Sequence, residues 1–175
     1  MAVNDMRNIV AVAGLPGSGK TTVARIIEKR GYTYLSLGDV VRAEAQKSGL
    51  SPDRVAVTLR LDRGRRAVAH RLLSSVRLGQ RAVIDGVRSI EEIDAIEEVL
   101  GAVFLIYVVA SRKTRYNRLA SRGRGDDPAT YAQFLLRDIR ELRFGLADLL
   151  ARADYILVNE NKPIEDLEQE IGYIL

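Results

Sequence analysis

Residues 14–21 read Gly-Leu-Pro-Gly-Ser-Gly-Lys-Thr, and no other stretch constrains the chain so tightly. The spacing is G-x-x-x-x-G-K-[ST], the pattern of a loop that wraps a phosphate. An apolar run, Ile9-Val10-Ala11-Val12-Ala13, precedes it and reads as a buried strand. Thr22 to Lys29 follows with the spacing of an amphipathic helix. A strand, a glycine-rich turn and a helix in that order give the pattern its physical meaning. Gly14, Gly17 and Gly19 let the backbone curl until several N–H groups face one anion, with Leu15, Pro16 and Ser18 filling the turn. The helix that opens at Lys20, Thr21 and Thr22 adds the positive end of its dipole. In this pattern Lys20 reaches the β- and γ-phosphates of a nucleotide, and the Thr21 hydroxyl can ligate magnesium. ATP and Mg2+ are therefore the expected cofactors.

The bulk of the chain bounds the rest. Its 175 residues suit one domain, 1–175, with a full core. Hydrophobic residues make up 47% and charged residues 29%, which excludes an extended disordered chain. The longest apolar stretch, Ala102 to Ala110, is too short to cross a bilayer and fits a core strand. Met1 to Arg7 is polar and carries no apolar export segment, so the cytoplasm is the expected location and no membrane partner is expected. With no cysteine in the chain, neither a disulfide nor a cysteine-bound zinc lid can form. The net charge is +4, and 22 of the 27 basic residues are arginine. A basic surface can mark a nucleic-acid partner, but these arginines cluster where phosphate clamps would stand, and arginine suits bidentate phosphate contacts.

Strand and helix patterns alternate along the chain. Strands are expected at 9–13, 33–37, 81–84, 103–109 and 154–158. Helices are expected at about 19–30, 39–46, 52–78, 90–100, 113–121, 129–152 and 163–175. Five strands separated by helices imply an α/β fold, a five-stranded parallel sheet flanked by helices on both faces. Ligands then bind where the strands end. The order of the strands is not legible in the sequence.

Two arginine motifs fall on that edge. Gly38-Asp39-Val40-Val41-Arg42 follows strand two, and Asp85-Gly86-Val87-Arg88 follows strand three. Asp85, at a strand end beside the loop, is placed to hold a magnesium-bound water. Arg42 and Arg88 can converge on the phosphate of a second, acceptor substrate, screening its charge and fixing its approach. Further on, Arg115, Arg118 and Arg122 share one helical face ahead of a charged loop, Gly123 to Asp127, which reads as a small lid over about 112–128 hinged at Gly123 and Gly125. His70 and the tyrosines at 32, 34, 107 and 155 read as structural.

The loop together with Gly38-Asp39-x-x-Arg42 and Asp85-Gly86-x-Arg88 resembles the nucleoside monophosphate kinase family, adenylate kinase above all. The resemblance is closest to a small archaeal group described as adenylate-kinase-related and covers nearly the whole chain. It includes Arg137-Asp138 to Glu141-Leu142, and Ala153-Asp154-Tyr155-Ile156 with Asn159, which is also similar to dephospho-coenzyme A kinases. The resemblance implies a P-loop kinase fold with a lid and an acceptor-binding helical segment over about 38–80. It implies that Arg42, Arg88 and Arg137 hold the acceptor, that Arg118 packs near the donor adenine, and that Arg122 closes over the transferring phosphate. Two departures stand out. Val87 occupies the place of a usual proline, and Ser51 to Leu78 aligns with no acceptor-base pocket.

Three readings follow. The first is transfer of the ATP γ-phosphoryl group to a small phosphorylated acceptor such as AMP or another nucleoside monophosphate, with Lys20, Arg88 and Arg122 stabilising charge. The second is a dephospho-coenzyme A kinase in which Asp39 serves as base to an acceptor hydroxyl. The third is a nucleotide switch or RNA-associated ATPase, which has no use for the pair Arg42 and Arg88.

Overall fold

A computed structural model of the chain describes residues 7–175; residues 1–6, most of the polar N-terminal stretch, lie outside the described residues. The sheet has five strands, β1 (Ile9–Ala13), β2 (Thr33–Ser36), β3 (Ala82–Val87), β4 (Val103–Val109) and β5 (Tyr155–Val158). Their order is β2-β3-β1-β4-β5, and every pairing is parallel. Ile9 stands opposite Ala82 on one side and Val103 on the other. β1 and β3 are buried along their whole length, which is why β1 and the first three residues of β3 read as apolar runs rather than alternating ones.

Alternate residues of β1 feed two separate cores. Ile9, Ala11 and Ala13 face a cluster built with α2 (Leu37–Ser48), α3 (Pro52–Arg63), α4 (Ala67–Leu73) and α5 (Ile90–Leu100). Val10 and Val12 face a second cluster built with α1 (Lys20–Glu28) and α9 (Ile164–Ile174). The result is the three-layer α/β/α arrangement the alternating pattern implies. Outside both layers, α6 (Arg112–Arg122) and α7 (Tyr131–Glu141) are joined by Tyr116, Tyr131 and Phe134, whose ring centroids lie 5.1–5.8 Å apart. Among the described residues no helix is long and apolar enough to cross a membrane.

Three expectations need correction. The helix expected over 52–78 is two helices, because the backbone at Gly64 (φ 84°, ψ 165°) cannot continue α3 and the chain restarts at Ala67. The helix expected over 129–152 ends as α7 at Glu141. It passes through a π-helical turn at Leu142–Leu146, leaves helical geometry at Gly145 (φ 114°), and resumes as α8 (Ala147–Arg152). β3 runs on to Val87, so Asp85 and Gly86 lie within the strand rather than after it; the register with β1 slips there, from Val12–Asp85 to Ala13–Val87.

Candidate active site

All five strands point their C-terminal ends at one edge, and the loop after β1 lies at its centre. The loop is held tightly from outside. At Gly17 (φ 80°) a Cβ atom would stand 2.6 Å from the Arg115 carbonyl oxygen, and at Gly19 (φ 99°) one would stand 2.2 Å from Asn159 Nδ2. Both positions need glycine on two counts, a left-handed backbone and a close neighbour. Asn159 Nδ2 donates to the Ser18 carbonyl at 2.9 Å. Arg118 donates to the carbonyls of Gly17, Ser18 and Asn159 at 3.4, 3.3 and 3.0 Å. Arg118 therefore ties the loop to the end of β5.

Arg115, one turn before Arg118 on α6, also faces the loop. It is buried, donates to the Pro16 carbonyl at 3.1 Å, and forms a two-pronged pair with Asp138 of α7 at 2.8 and 2.7 Å. Its guanidinium lies 5.0 Å from the Phe134 ring centre. Its partner lies 23 residues away on another helix, a pairing that needs the fold to be known.

Lys20 folds back on the loop and donates to the Leu15 carbonyl at 3.1 Å. Loss of hydration pushes its ammonium down to about 8; Asp85 opposes that shift and Arg88 adds to it. Thr21 Oγ1 donates to Asp85 Oδ2 at 2.7 Å, and the Tyr34 hydroxyl donates to the same oxygen at 2.9 Å. Burial and the Asp85 charge push the Tyr34 phenol up to about 12. Arg25 covers the Tyr34 ring at 3.5 Å from its centre. Asp85 Oδ1 is buried and meets no hydrogen-bond donor among the described residues. One carboxylate oxygen is thus saturated and the other is left beside the loop, an arrangement that fits a magnesium-bound water. Tyr34 is more than the structural residue the sequence suggests.

The cleft in front of the loop is lined by Pro16, Gly17, Lys20 and Thr21, by Ser36, Gly38 and Arg42, by Asp85, Gly86 and Arg88, by Arg122, Arg124 and Asp126, and by Arg137 and Glu141. Four separate parts of the chain thus bring arginines to one space. Each of four arginines has a carboxylate partner. Arg42 pairs with Asp39 at 2.5 Å, Arg88 with Glu141 at 2.5 Å, Arg122 with Asp127, and Arg137 with Asp126 at 3.3 Å. Arg124 lines the cleft without an ion-pair partner among the described residues. Asp39 sits in the first turn of α2, where its backbone N–H is capped by Ser36 Oγ at 3.1 Å; it is mostly exposed and does not line the cleft.

Glu141 belongs to the segment that carries the family resemblance, but sequence assigns it no role of its own. Its carboxylate is buried, accepts from Arg88 Nε, and lines the cleft with Lys20 and Asp85. Burial alone would raise its pKa, but the Arg88 and Lys20 charges outweigh burial and hold it below the usual carboxylate range. Glu92, also buried, accepts from the Arg88 N–H at 2.7 Å and from Arg60 at 2.6 Å, so it fixes the backbone at Arg88 from behind.

Residues 10–134 match a family model described as an AAA domain. The chain is 72% identical over 170 residues to a UPF0200 protein of Pyrobaculum aerophilum, covering 97% of this chain and 98% of the relative. It is 43% identical over 170 residues to a UPF0200 protein of Aeropyrum pernix, covering 94% of this chain and 90% of the relative. Among solved structures it resembles a shikimate kinase from Acinetobacter baumannii in complex with shikimate, with a TM-score of 0.62 at 17% identity over 97% of this chain and 93% of that one. It also resembles a sugar kinase from Janibacter, with a TM-score of 0.58 at 18% identity over 94% and 91% of the two chains. The two structural likenesses show the fold, that of P-loop kinases.

Proposed function

The chain belongs to the UPF0200 family, and from its site we propose that it transfers the γ-phosphoryl group of ATP to a small phosphorylated acceptor. One observation carries this reading: arginines from α2, the end of β3, the lid and α7 line the same cleft as Lys20 and Thr21. Hydrolysis alone needs a donor site and a water. A second set of guanidiniums facing the loop has a use when a second anionic molecule must be held in line. Two analogies in fold, a shikimate kinase and a sugar kinase, are named for small molecules.

In this reading the loop N–H groups and the N-terminus of α1 hold the triphosphate. Lys20 leaves the Leu15 carbonyl for the β- and γ-phosphates, which restores the charge that its present site disfavours. Thr21, and Asp85 through bound water, would hold magnesium, which supplies neutralisation of the phosphate charge. Arg42 and Arg88 receive the acceptor. Their carboxylate partners keep the guanidiniums in place before substrate arrives; a substrate phosphate takes over from Asp39 on Arg42 and joins Glu141 on Arg88. Arg122, Arg124 and Arg137 lie on or against the lid, so its closure brings cations to the transferring group and excludes water. Nucleoside monophosphates are the acceptors the sequence resemblance favours.

The test is a transfer screen with labelled ATP and magnesium. The acceptor panel holds nucleoside monophosphates, dephospho-coenzyme A and a no-acceptor control. Acceptor-dependent label in a new product is the expected result. Label released only as free phosphate, at a rate no acceptor changes, would leave the switch or ATPase reading in its place.

A further inference from the structure

Three carboxylates, Asp85, Asp126 and Glu141, line a cleft suited to anions, and each needs an account. Asp85 is bound by Thr21 and Tyr34 beside the loop. Asp126 belongs to the lid and accepts from Arg137. Glu141 remains. Its side chain is 6% exposed, its Oε2 accepts from Arg88 Nε, and its Oε1 has Arg140 Nη2 only at 4.0 Å, beyond hydrogen-bond reach. Glu141 thus lines the cleft with one carboxylate oxygen that meets no hydrogen-bond donor among the described residues and the other held by Arg88.

A phosphate nucleophile gains nothing from such a group. At neutral pH a phosphate monoester has a second pKa of about 6, so its attacking oxygen is already an anion and a nearby carboxylate only repels it. An alcohol nucleophile is neutral and must lose a proton as it attacks, which a positioned carboxylate can take. Asp39, the base suggested by sequence, is 61% exposed, is tied to Arg42, and does not line the cleft.

We propose that the acceptor reacts through a hydroxyl group and that Glu141 takes its proton. The acceptor oxygen forms a bond to the γ-phosphorus while the bond from that phosphorus to the β–γ bridging oxygen breaks. ADP leaves with the electron pair, the hydroxyl proton passes to Glu141 Oε1, and solvent later removes it. Any phosphate on the acceptor is then a handle for Arg42 and Arg88 rather than the attacking group. The triphosphate draws Lys20 toward itself and weakens its hold on Glu141, while Arg88 Nε keeps the carboxylate placed, which makes the carboxylate a better base at the moment it is needed. The inference rests on the phosphotransferase reading and specifies its acceptor.

The test is the chemical identity of the product. Wild-type protein, ATP and magnesium are incubated with alcohols (dephospho-coenzyme A, nucleosides, shikimate, sugar phosphates) and separately with AMP, CMP, GMP and UMP, and products are read by phosphorus NMR. A new phosphomonoester is expected. A phosphoanhydride formed from a monophosphate would overturn the hydroxyl acceptor and leave the phosphotransferase reading standing. Free phosphate alone with every acceptor would overturn both. With the alcohol acceptor in hand, Glu141→Gln keeps a hydrogen-bond acceptor for Arg88 and should lower kcat by about 10²–10⁴ while KM for ATP and binding of a fluorescent ATP analogue stay within a few-fold. Glu141→Asp should recover part of the loss. An unchanged kcat in Glu141→Gln would overturn the proton role.

Discussion

Replacing Asp138 by asparagine separates the loop's support from its chemistry. The Arg115–Asp138 pair is almost dry, with side chains 5% and 12% exposed. Asparagine fits the same space but supplies one neutral oxygen where Arg115 now meets two charged ones at 2.8 and 2.7 Å. Taking one partner from a buried ion pair costs about 3–5 kcal/mol, because the remaining charge stays desolvated. The Pro16 carbonyl at 3.1 Å and the Phe134 ring keep some hold on the guanidinium, which favours the lower end of that range. For a chain of this length each kcal/mol moves the melting midpoint by roughly 2–4 °C, so a fall on the order of 10 °C is expected. Circular dichroism on heating measures it. The double variant Arg115→Met with Asp138→Leu sharpens the reasoning, because apolar residues of similar volume in place of a buried pair are often neutral or better. It should melt near wild type yet bind an ATP analogue more weakly, since the Pro16 carbonyl has lost its donor. A single variant that melts within about 2 °C of wild type, or a double variant less stable than the single, would refute the argument.

Other consequences follow from the same geometry. Lys20 titrates near 8 without nucleotide against 10.5 for an ordinary lysine, so the unfolded chain binds more protons than the fold between those values and the nucleotide-free protein gains stability as pH rises through that window. Nucleotide binding restores the charge, so calorimetry at pH 8 in buffers of different ionisation enthalpy should show proton uptake, and Lys20→Ala should lose that uptake; zero uptake in wild type would contradict the shifted lysine. Gly17→Ala places a Cβ atom against the Arg115 backbone in a left-handed conformation. At a cost on the order of 1–3 kcal/mol of strain, nucleotide affinity should fall by roughly five- to 150-fold, as read by fluorescence titration, and wild-type affinity would show that the loop yields. Tyr34→Phe frees Asp85 Oδ2 from one donor; the magnesium concentration for half-maximal ATP binding should rise several-fold with little change in melting, and no change would remove Tyr34 from the magnesium corner.

The donor half of the site was legible because it is local. A strand, eight loop residues and the start of α1 are contiguous, and their chemistry is written in their spacing. The strand pattern was equally plain, since β1, β4 and the first half of β3 are apolar runs. The helical breaks at Gly64 and Gly145 carried a visible signal, a glycine inside an amphipathic pattern, but one glycine is compatible with a continuous helix and only the packing around it decides. Glu141, Asp138 and Tyr34 could not be read this way. Each owes its role to a partner on another element, Arg88 at a separation of 53 residues, Arg115 at 23 and Asp85 at 51. Among the paired arginines, Arg42 with Asp39 and Arg122 with Asp127 are local pairs, whereas the partner of Arg88, Glu141, comes within reach only when the elements are assembled.

The central claim is that donor loop and arginine cleft serve one transfer. It is tested most directly by following the label of γ-labelled ATP in single turnovers with an active acceptor, in wild type and in Arg42→Ala. Wild type should place most of the label on the acceptor. Arg42→Ala should bind ATP as before but need far more acceptor to reach the same yield, with the excess label lost to water. Label found only in free phosphate, in the same amount with and without acceptor and in both proteins, would contradict the claim.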